Sequence, residues 1–421
     1  MRVAFLTHEP FLPPSGGGSA EAPHLVREFR RRGHRLDLFC PEFPDWRKLE
    51  EDPGLRVRLF TQWNMGRYTS FRTLKYLLYP LVLEEDICDV VNQFRAEGDP
   101  NPGFDIIFAQ HTISAVAAGR VRRRIGGRLV FNFLDYLTGF MEAWPAPFTR
   151  TGFVRALNRY EMSMPERFDA EGILTVSEPL AERFTAEGCP RGRILPLLYG
   201  YDSRLFTPPE TPPPDDAPPV VVMHGSFDRH HLGEIARDAL RRVHGIRPDV
   251  RFRFVGRETS HLRRFVREMK QQCPNIAIDC LGFVHYANMP RHLRDASVGI
   301  VPYEETEGAH CAFVAKAVEY LACGLPVVST PLENLTFHFA TEEAIRFSGF
   351  DGRSFARQII EWLAMPLARR VQIGLQASRR VAQELDWPIL ARKAVDFAER
   401  VHLHPPAPWV KKEDRKRRRQ F

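Results

Sequence analysis

Along the first half of the chain, short apolar runs alternate with longer stretches whose apolar positions recur every third or fourth residue. The runs 3–7, 35–39, 105–109, 129–133, 172–176 and 194–198 read as strands, because they are too short for helices and end in turn residues. Helix-period segments between them predict parallel β-α-β units, in which each helix covers a face of the sheet. At 208–219 the sequence PPETPPPDDAPP breaks the pattern, since prolines fix φ and remove backbone donors, so neither helix nor inner strand passes through. The alternation then restarts, with strands at 220–224, 251–255, 276–280, 298–301 and 326–329 and helical segments at 233–242 and 313–322. The expected fold class is α/β, two doubly wound, Rossmann-like parallel-sheet domains facing a cleft. Ligands are expected at the carboxyl ends of the strands.

Composition narrows this picture. The 421 residues are 44% hydrophobic and 26% charged, an ordinary globular balance with enough core to need no disulfides. The seven cysteines are scattered and never form a C-x-x-C pair, which argues against a disulfide framework or a structural zinc site and predicts a reduced, cytoplasmic chain. His8, Glu9 and Pro10 come too early for a signal-peptide core. The longest apolar run, 76–83, is far below the ~20 residues that span a bilayer, and Pro80 interrupts it.

The net charge of +7 is modest, so its placement matters more than its size. Segment 67–83 mixes Arg and Lys with Tyr and Phe before an apolar end, and Arg27 to Arg32 form a second cluster. Both fit an anionic membrane surface, which predicts peripheral attachment at the inner face of the plasma membrane. The competing reading of 67–83 is an amphipathic surface helix with its apolar side in the core. The run 411–419, KKEDRKRRR, reads as a solvated end, and no nucleic-acid partner is expected.

The chemistry concentrates at strand ends. Gly16, Gly17 and Gly18 follow the first strand and open a helix, a cradle for phosphate or sugar oxygens. The spacing is neither the dinucleotide fingerprint nor a P-loop, so hydride transfer and nucleotide hydrolysis lose their main support. His111 and Asp135 each follow a strand, where an imidazole or carboxylate can move a proton or bind a hydroxyl; a buried histidine and a helix cap are the competing readings. In GAHCAFVAKAVEYLACGLPVVST, 308–330, Lys316 and Glu319 lie three apart on one helical face. A diphosphate at the helix N-terminus, Lys316 beside its charge and Glu319 accepting both ribose hydroxyls is one reading, and a surface ion pair is the other. No cluster with metal-ligand spacing is present in the sequence.

That last segment resembles the nucleotide-binding signature of GT-B glycosyltransferases, specifically family 4, P-x-K-x-x-E-Y-x-A-x-G-x-P-V-V. Lys316, Glu319, Tyr320, Ala322, Gly324, Pro326, Val327 and Val328 match. Gly33-His34, the segment from Phe104 to His111, Leu174 to Glu178, Gly200-Tyr201-Asp202, Leu281 to Val284 and Val298 to Tyr303 are similar to further family segments, in the family's order.

The resemblance implies that Glu319 holds the donor ribose, that backbone around Val284 meets the base, and that Gly308, Ala309, His310 and Cys311 face the diphosphate. It also implies that Gly16, Gly17 and His111 line the sugar and acceptor side. Many members carry a glutamate where this chain has Cys311, and an Arg/Lys pair where it has Gly225-Ser226 and His231, leaving Arg229, His231 or Lys316 to stabilise the leaving group. The implied organisation is an acceptor-side domain at 1–202, a linker at 203–219, a nucleotide-sugar domain at 220–384, a helix at 385–403 returning to the first domain, and a basic tail at 404–421. The implied activity is metal-independent hexosyl transfer, with retention, from a nucleoside-diphosphate sugar to a glycan or lipid-linked acceptor, without a prosthetic group. A nucleotide-sugar epimerase of the same fold and a decayed nucleotide-binding scaffold are the alternatives.

Overall fold

A computed structural model describes residues 1–9, 11–13, 17–60, 72–143, 151–212, 214, 217–407 and 409. Strands β1 (Arg2–Leu6), β2 (Arg35–Pro41), β3 (Leu55–Phe60), β4 (Ile106–Gln110), β5 (Arg128–Phe133), β6 (Gly172–Thr175) and β7 (Ile194–Pro196) form one parallel sheet, ordered β3-β2-β1-β4-β5-β6-β7. Strands β8 (Val220–His224), β9 (Arg251–Val255), β10 (Ala277–Cys280), β11 (Val298–Val301), β12 (Val327–Ser329) and β13 (Ile345–Phe347) form a second, ordered β10-β9-β8-β11-β12-β13. Helices cover both faces, so the central strands are buried throughout, as Val3 to Leu6 and Val220 to His224 illustrate. Each sheet reverses direction beside its first strand, at β1/β4 and at β8/β11. The crevice outside those carboxyl ends is the place a doubly wound sheet offers to a ligand.

The two α/β domains agree with the expected class. The expectation lacked β3 and β13, both edge strands. In β3 arginines alternate with apolar residues, and Arg58 reaches Asp37 of β2 at 2.9 Å; β13 is three residues long.

The helix Trp387–Leu403 crosses back from the second domain to the first. Phe397 and Val401 lie so close to Gly172 of β6 that a Cβ there would stand 2.8 and 3.0 Å from them. Arg32 binds Asp396 and Glu399 of the same helix, at 2.6 and 2.7 Å. The two interdomain crossings also pair with each other, Tyr201 N donating to Leu385 O and Trp387 N to Tyr201 O.

These contacts bear on the proposed basic surface. Arg30 pairs with Asp52, Arg31 with Glu28, and Arg32 with Glu28, Asp396 and Glu399, so among the described residues only Arg27 of that cluster stands exposed without an ion-pair partner. Residues 67–71 lie outside the described residues. Residues 72–83 open the helix Arg72–Ala96, which buries Pro80 and Leu83 and exposes Leu81. Among the described residues no helix is long and apolar enough to cross a membrane. Most of the tail also lies outside them.

The glycine loop leads into the helix Gly17–Arg31, whose fifth residue, Glu21, is buried over the ends of β4 and β5. Gln110 Nε2 and Asn132 Nδ2 donate to its Oε2 at 2.8 and 2.7 Å. Burial outweighs these bonds and raises its pKa from 4.5 to about 7. The folded chain therefore holds this proton more tightly than the unfolded chain. Its contribution to stability is complete below pH 4.5 and is lost as pH rises through 7. The Tm of the wild type should fall between pH 5 and 8 by about a few degrees more than that of Glu21→Gln, measured by thermal melts at matched ionic strength.

Candidate active site

The two domains enclose a cleft of about 630 Å³ at the carboxyl ends of both sheets. Its second-domain wall begins where β8 ends. There Gly225 adopts φ +100, a conformation that favours glycine, and any Cβ would stand 3.5 Å from Lys316 Cε. Lys316 is the second residue of the helix Ala315–Ala322 and is buried. Its Nζ donates to Tyr303 Oη at 2.7 Å and lies 4.8 Å from the centre of that ring. Burial lowers its pKa from 10.5 to about 7, against the opposing pull of Glu319 and Asp228.

Glu319 follows one turn later on the same face, also buried, with Oε2 3.0 Å from His224 Nε2. The surface ion pair between Lys316 and Glu319 does not form, since each charge takes another partner inside the cleft. Ser226, His231, Val284 and Arg257 complete this wall. Burial holds His231 neutral, with its pKa far below the ordinary value and Lys316 pushing the same way. The Arg257 guanidinium lies over the Phe283 ring at 5.4 Å.

The first-domain wall carries His111, Asp135 and Glu9. His111 opens the helix His111–Ile125 with φ +67, which costs a non-glycine residue about 1–3 kcal/mol and places its ring in the cleft. Its Nε2 is 3.9 Å from Glu9 Oε2 and makes no hydrogen bond. Burial lowers its pKa, with Glu9 opposing. Asp135 faces the cleft opening. Its enclosing walls, then the charges of Glu9 and Glu161, raise its pKa from 3.8 to about 7; more than a third of its surface still meets cleft water, which tempers that rise.

The cleft thus brings together His111, Asp135, Gly225, Ser226, His231, Val284, Lys316 and Glu319. Others expected there lie elsewhere. Gly308, Ala309, His310 and Cys311 belong to a separate short helix, Glu307–Cys311, packed against the turn Thr138–Ala143 of the first domain. A Cβ on Gly308 would stand 2.7 Å from the Gly139 carbonyl carbon, and His310 Nδ1 accepts from Glu333 N at 3.2 Å. Arg183 Nε donates to Cys311 Sγ at 3.1 Å, and Ser177 Oγ donates to Cys311 O at 2.5 Å. Extended backbone at Ala312 and Val314 separates the two helices, so the N-terminus that opens on the cleft is at Ala315. Arg229 is exposed and outside the lining, Gly17 and Gly18 begin their helix, and Gly16 lies outside the described residues.

Sequence reasoning passed over Glu9, His224, Arg257, Tyr199 and Tyr286, and reached Tyr303 only as the end of the family-like segment Val298 to Tyr303; all six line the cleft. His224 is the last residue of β8 and Arg257 comes two residues after β9, so the strand-end rule applied to every strand finds both. Nothing local marks Tyr199 or Tyr286.

Residues 16–200 match the family model described as a glycosyl transferase 4-like domain, and 218–365 match the one described as glycosyl transferases group 1. Among solved structures, sucrose-phosphate synthase from Thermosynechococcus elongatus is similar at 17% identity and TM-score 0.73, covering 96% of this chain and 99% of that one. Anabaena HepE in complex with UDP-glucose follows at 18% and 0.65, covering 94% and 98%. A glycosyltransferase from Rickettsia africae is similar at 12% and 0.67, covering 96% and 98%. No curated protein sequence gives a significant match. The structural likenesses establish the fold, while the two sequence models, one on each domain, carry the family: the chain is a GT-B glycosyltransferase of the family-4-like type.

Proposed function

We propose that this chain transfers a hexosyl group, with retention and without a metal, from a nucleoside-diphosphate sugar to a hydroxyl of a glycan or lipid-linked acceptor. The observation that carries the reading is one cleft in which Lys316, Glu319 and the N-terminus at Ala315 face His111, Asp135 and Glu9. Glu319 accepts from the donor ribose, and backbone at Val284 meets the base. Charge developing on the leaving diphosphate meets the helix N-terminus, Lys316 and Arg257, cations fixed before the reaction begins. Ser226 and neutral His231 add hydrogen-bond donors without charge. Asp135 and His111 stand on the acceptor side, where a carboxyl near neutrality and an uncharged imidazole can take the proton of the attacking hydroxyl.

The structural neighbour HepE, solved with UDP and glucose and with UDP-glucose, makes UDP-glucose the first donor to try. The test is release of nucleoside diphosphate from UDP-, GDP- and ADP-hexoses, with glycan and lipid-linked acceptors present or absent, and with anomeric configuration read by NMR. Acceptor-dependent release, abolished by Glu319→Ala, is the expected result. Absence of release from every donor, with no nucleotide bound, returns the chain to a scaffold role. The carboxylates of Glu9 and Asp135 beside His111 favour a second reading, epimerisation, in which the sugar of the donor changes without any acceptor.

A further inference from the structure

His111 and Asp135 both stand at strand ends of the first domain, His111 directly after β4 and Asp135 two residues after β5. A recess of about 110 Å³ adjoins the cleft there, lined by His8, Glu9, His111, Thr112, Asp135 and Leu137. Against these two strand ends, on the helix Thr151–Arg167, lies Glu161, which is 2% exposed and lines neither the recess nor the cleft. Its carboxylate gathers donors from both ends. Oε1 accepts from Leu137 N at 3.1 Å, and Oε2 accepts from Thr138 N at 2.9 Å and from Thr138 Oγ1 at 2.5 Å. The side chain of Thr112, the neighbour of His111 in the chain, donates to the same carboxylate. Asn158, one turn earlier on the helix, donates from Nδ2 to Thr138 Oγ1 at 3.0 Å, which leaves that hydroxyl to give its own proton to Glu161.

All four donors are uncharged, so none of them neutralises a carboxylate taken out of water, and burial raises its pKa against their pull. A turn can be closed without a buried charge, so the charge itself calls for a reason. Two features of the site use it. Hydrogen bonds to an ionised acceptor are the stronger kind, and His111, at φ +67, keeps a backbone conformation that only surrounding contacts can hold. The charge also acts on Asp135, whose pKa rises first through its enclosure and then through Glu9 and Glu161.

We infer that Glu161 is a positioning residue for the transfer, fastening the His111 and Asp135 strand ends at one spacing through Thr112, Leu137 and Thr138. It meets neither donor nor acceptor and acts through those two side chains. The inference rests on the acceptor-side reading of His111 and Asp135 above and adds the group that keeps them in register. In Glu161→Gln an amide replaces one carboxylate oxygen, so the side chain no longer accepts from both strand ends, and the charge that Asp135 feels is gone.

The experiment measures kcat, KM and UDP affinity on the full chain, with UDP-glucose as donor in the acceptor-dependent assay above. The variants are Glu161→Gln, Thr112→Val and Asp135→Asn beside the wild type. Glu161→Gln should lower kcat about tenfold to a hundredfold, the scale that a misplacement of about 1 Å carries, and leave the UDP Kd unchanged. The acid limb of its kcat profile should also move to lower pH, because a negative charge that raises the Asp135 pKa has been removed. The other titratable groups around Asp135, His8, Glu9 and His111 beside it and Tyr303 across the cleft, are untouched. Thr112→Val keeps the charge and the bonds to Leu137 and Thr138, so it should lower kcat less and leave the acid limb in place. It decides the matter alone should Glu161→Gln fail to fold. Parallel loss of kcat and UDP affinity marks a general loss of structure and overturns the inference. So does an unchanged kcat in Glu161→Gln and Thr112→Val while Asp135→Asn is inactive, and in that case the acceptor-side reading stands. Full turnover in Asp135→Asn, or none in the wild type, overturns that reading and this inference with it.

Discussion

Lys316→Met should lower turnover about a hundredfold to a thousandfold while the chain remains as stable as the wild type or becomes more so. The loss follows from the position of Nζ, buried beside the Gly225 turn and bonded to Tyr303, with donor capacity left for a diphosphate oxygen. A preorganised cation aimed at developing charge contributes on that scale. The gain in stability follows from its depressed pKa. Between pH 7 and 10.5 the unfolded chain binds this proton more tightly than the folded chain, so the lysine destabilises the fold as pH drops through that window, and an apolar side chain of similar length does not.

The same lysine makes binding pH-dependent. A diphosphate brings negative charge to a group that ionises near 7 in the empty cleft, so binding draws a proton from solution. Affinity should therefore fall as pH rises from 7 to 9 in the wild type and stay level in Lys316→Met. Calorimetry of nucleotide binding in phosphate and in Tris buffers, which differ in ionisation heat, reads the proton directly. Equal apparent enthalpies in the two buffers would sink this account of Lys316.

Glu319→Gln should weaken nucleoside diphosphate binding by about a hundredfold, with little change in Tm. The substitution keeps shape and volume but removes the charge that strengthens hydrogen bonds from ribose hydroxyls, each worth about 1.5–3 kcal/mol when the acceptor is ionised. It also removes the carboxylate that faces His224 at 3.0 Å. Because Glu319 opposes the fall of the Lys316 pKa, its loss lowers that pKa further, and turnover suffers at neutral pH beyond the loss in binding. Titration by calorimetry together with kcat and KM at pH 6 and 8 separates the two effects. A KM change that is the same at both pH values would mean that Glu319 and Lys316 act independently.

Much of this molecule is written in short-range pattern. Strands buried on both faces must be apolar runs, and crossover helices must be amphipathic, so the two sheets and their division at the proline-rich stretch follow from local sequence. β3 and β13 escaped because an edge strand need not be apolar throughout, and Arg58 in β3 answers to Asp37 on the neighbouring strand. The shared helical face of Lys316 and Glu319 is also a local property, fixed by the helical period.

What each of those side chains meets is not local. Whether Lys316 pairs with Glu319 or with Tyr303 depends on a tyrosine beyond β11, and the partner of Glu319 comes from the end of β8. The helix Glu307–Cys311 shows the same limit, since its residues adjoin the cleft in sequence yet pack on Gly139, Ser177 and Arg183. Sequence by itself determined the architecture, the family and the shared helical face of Lys316 and Glu319, because periodicity and motif spacing act over a few residues. Only the tertiary structure decided which polar groups are desolvated together, since that depends on two domains meeting over one crevice and on chain segments as far apart as Glu9 and Glu319 lining it.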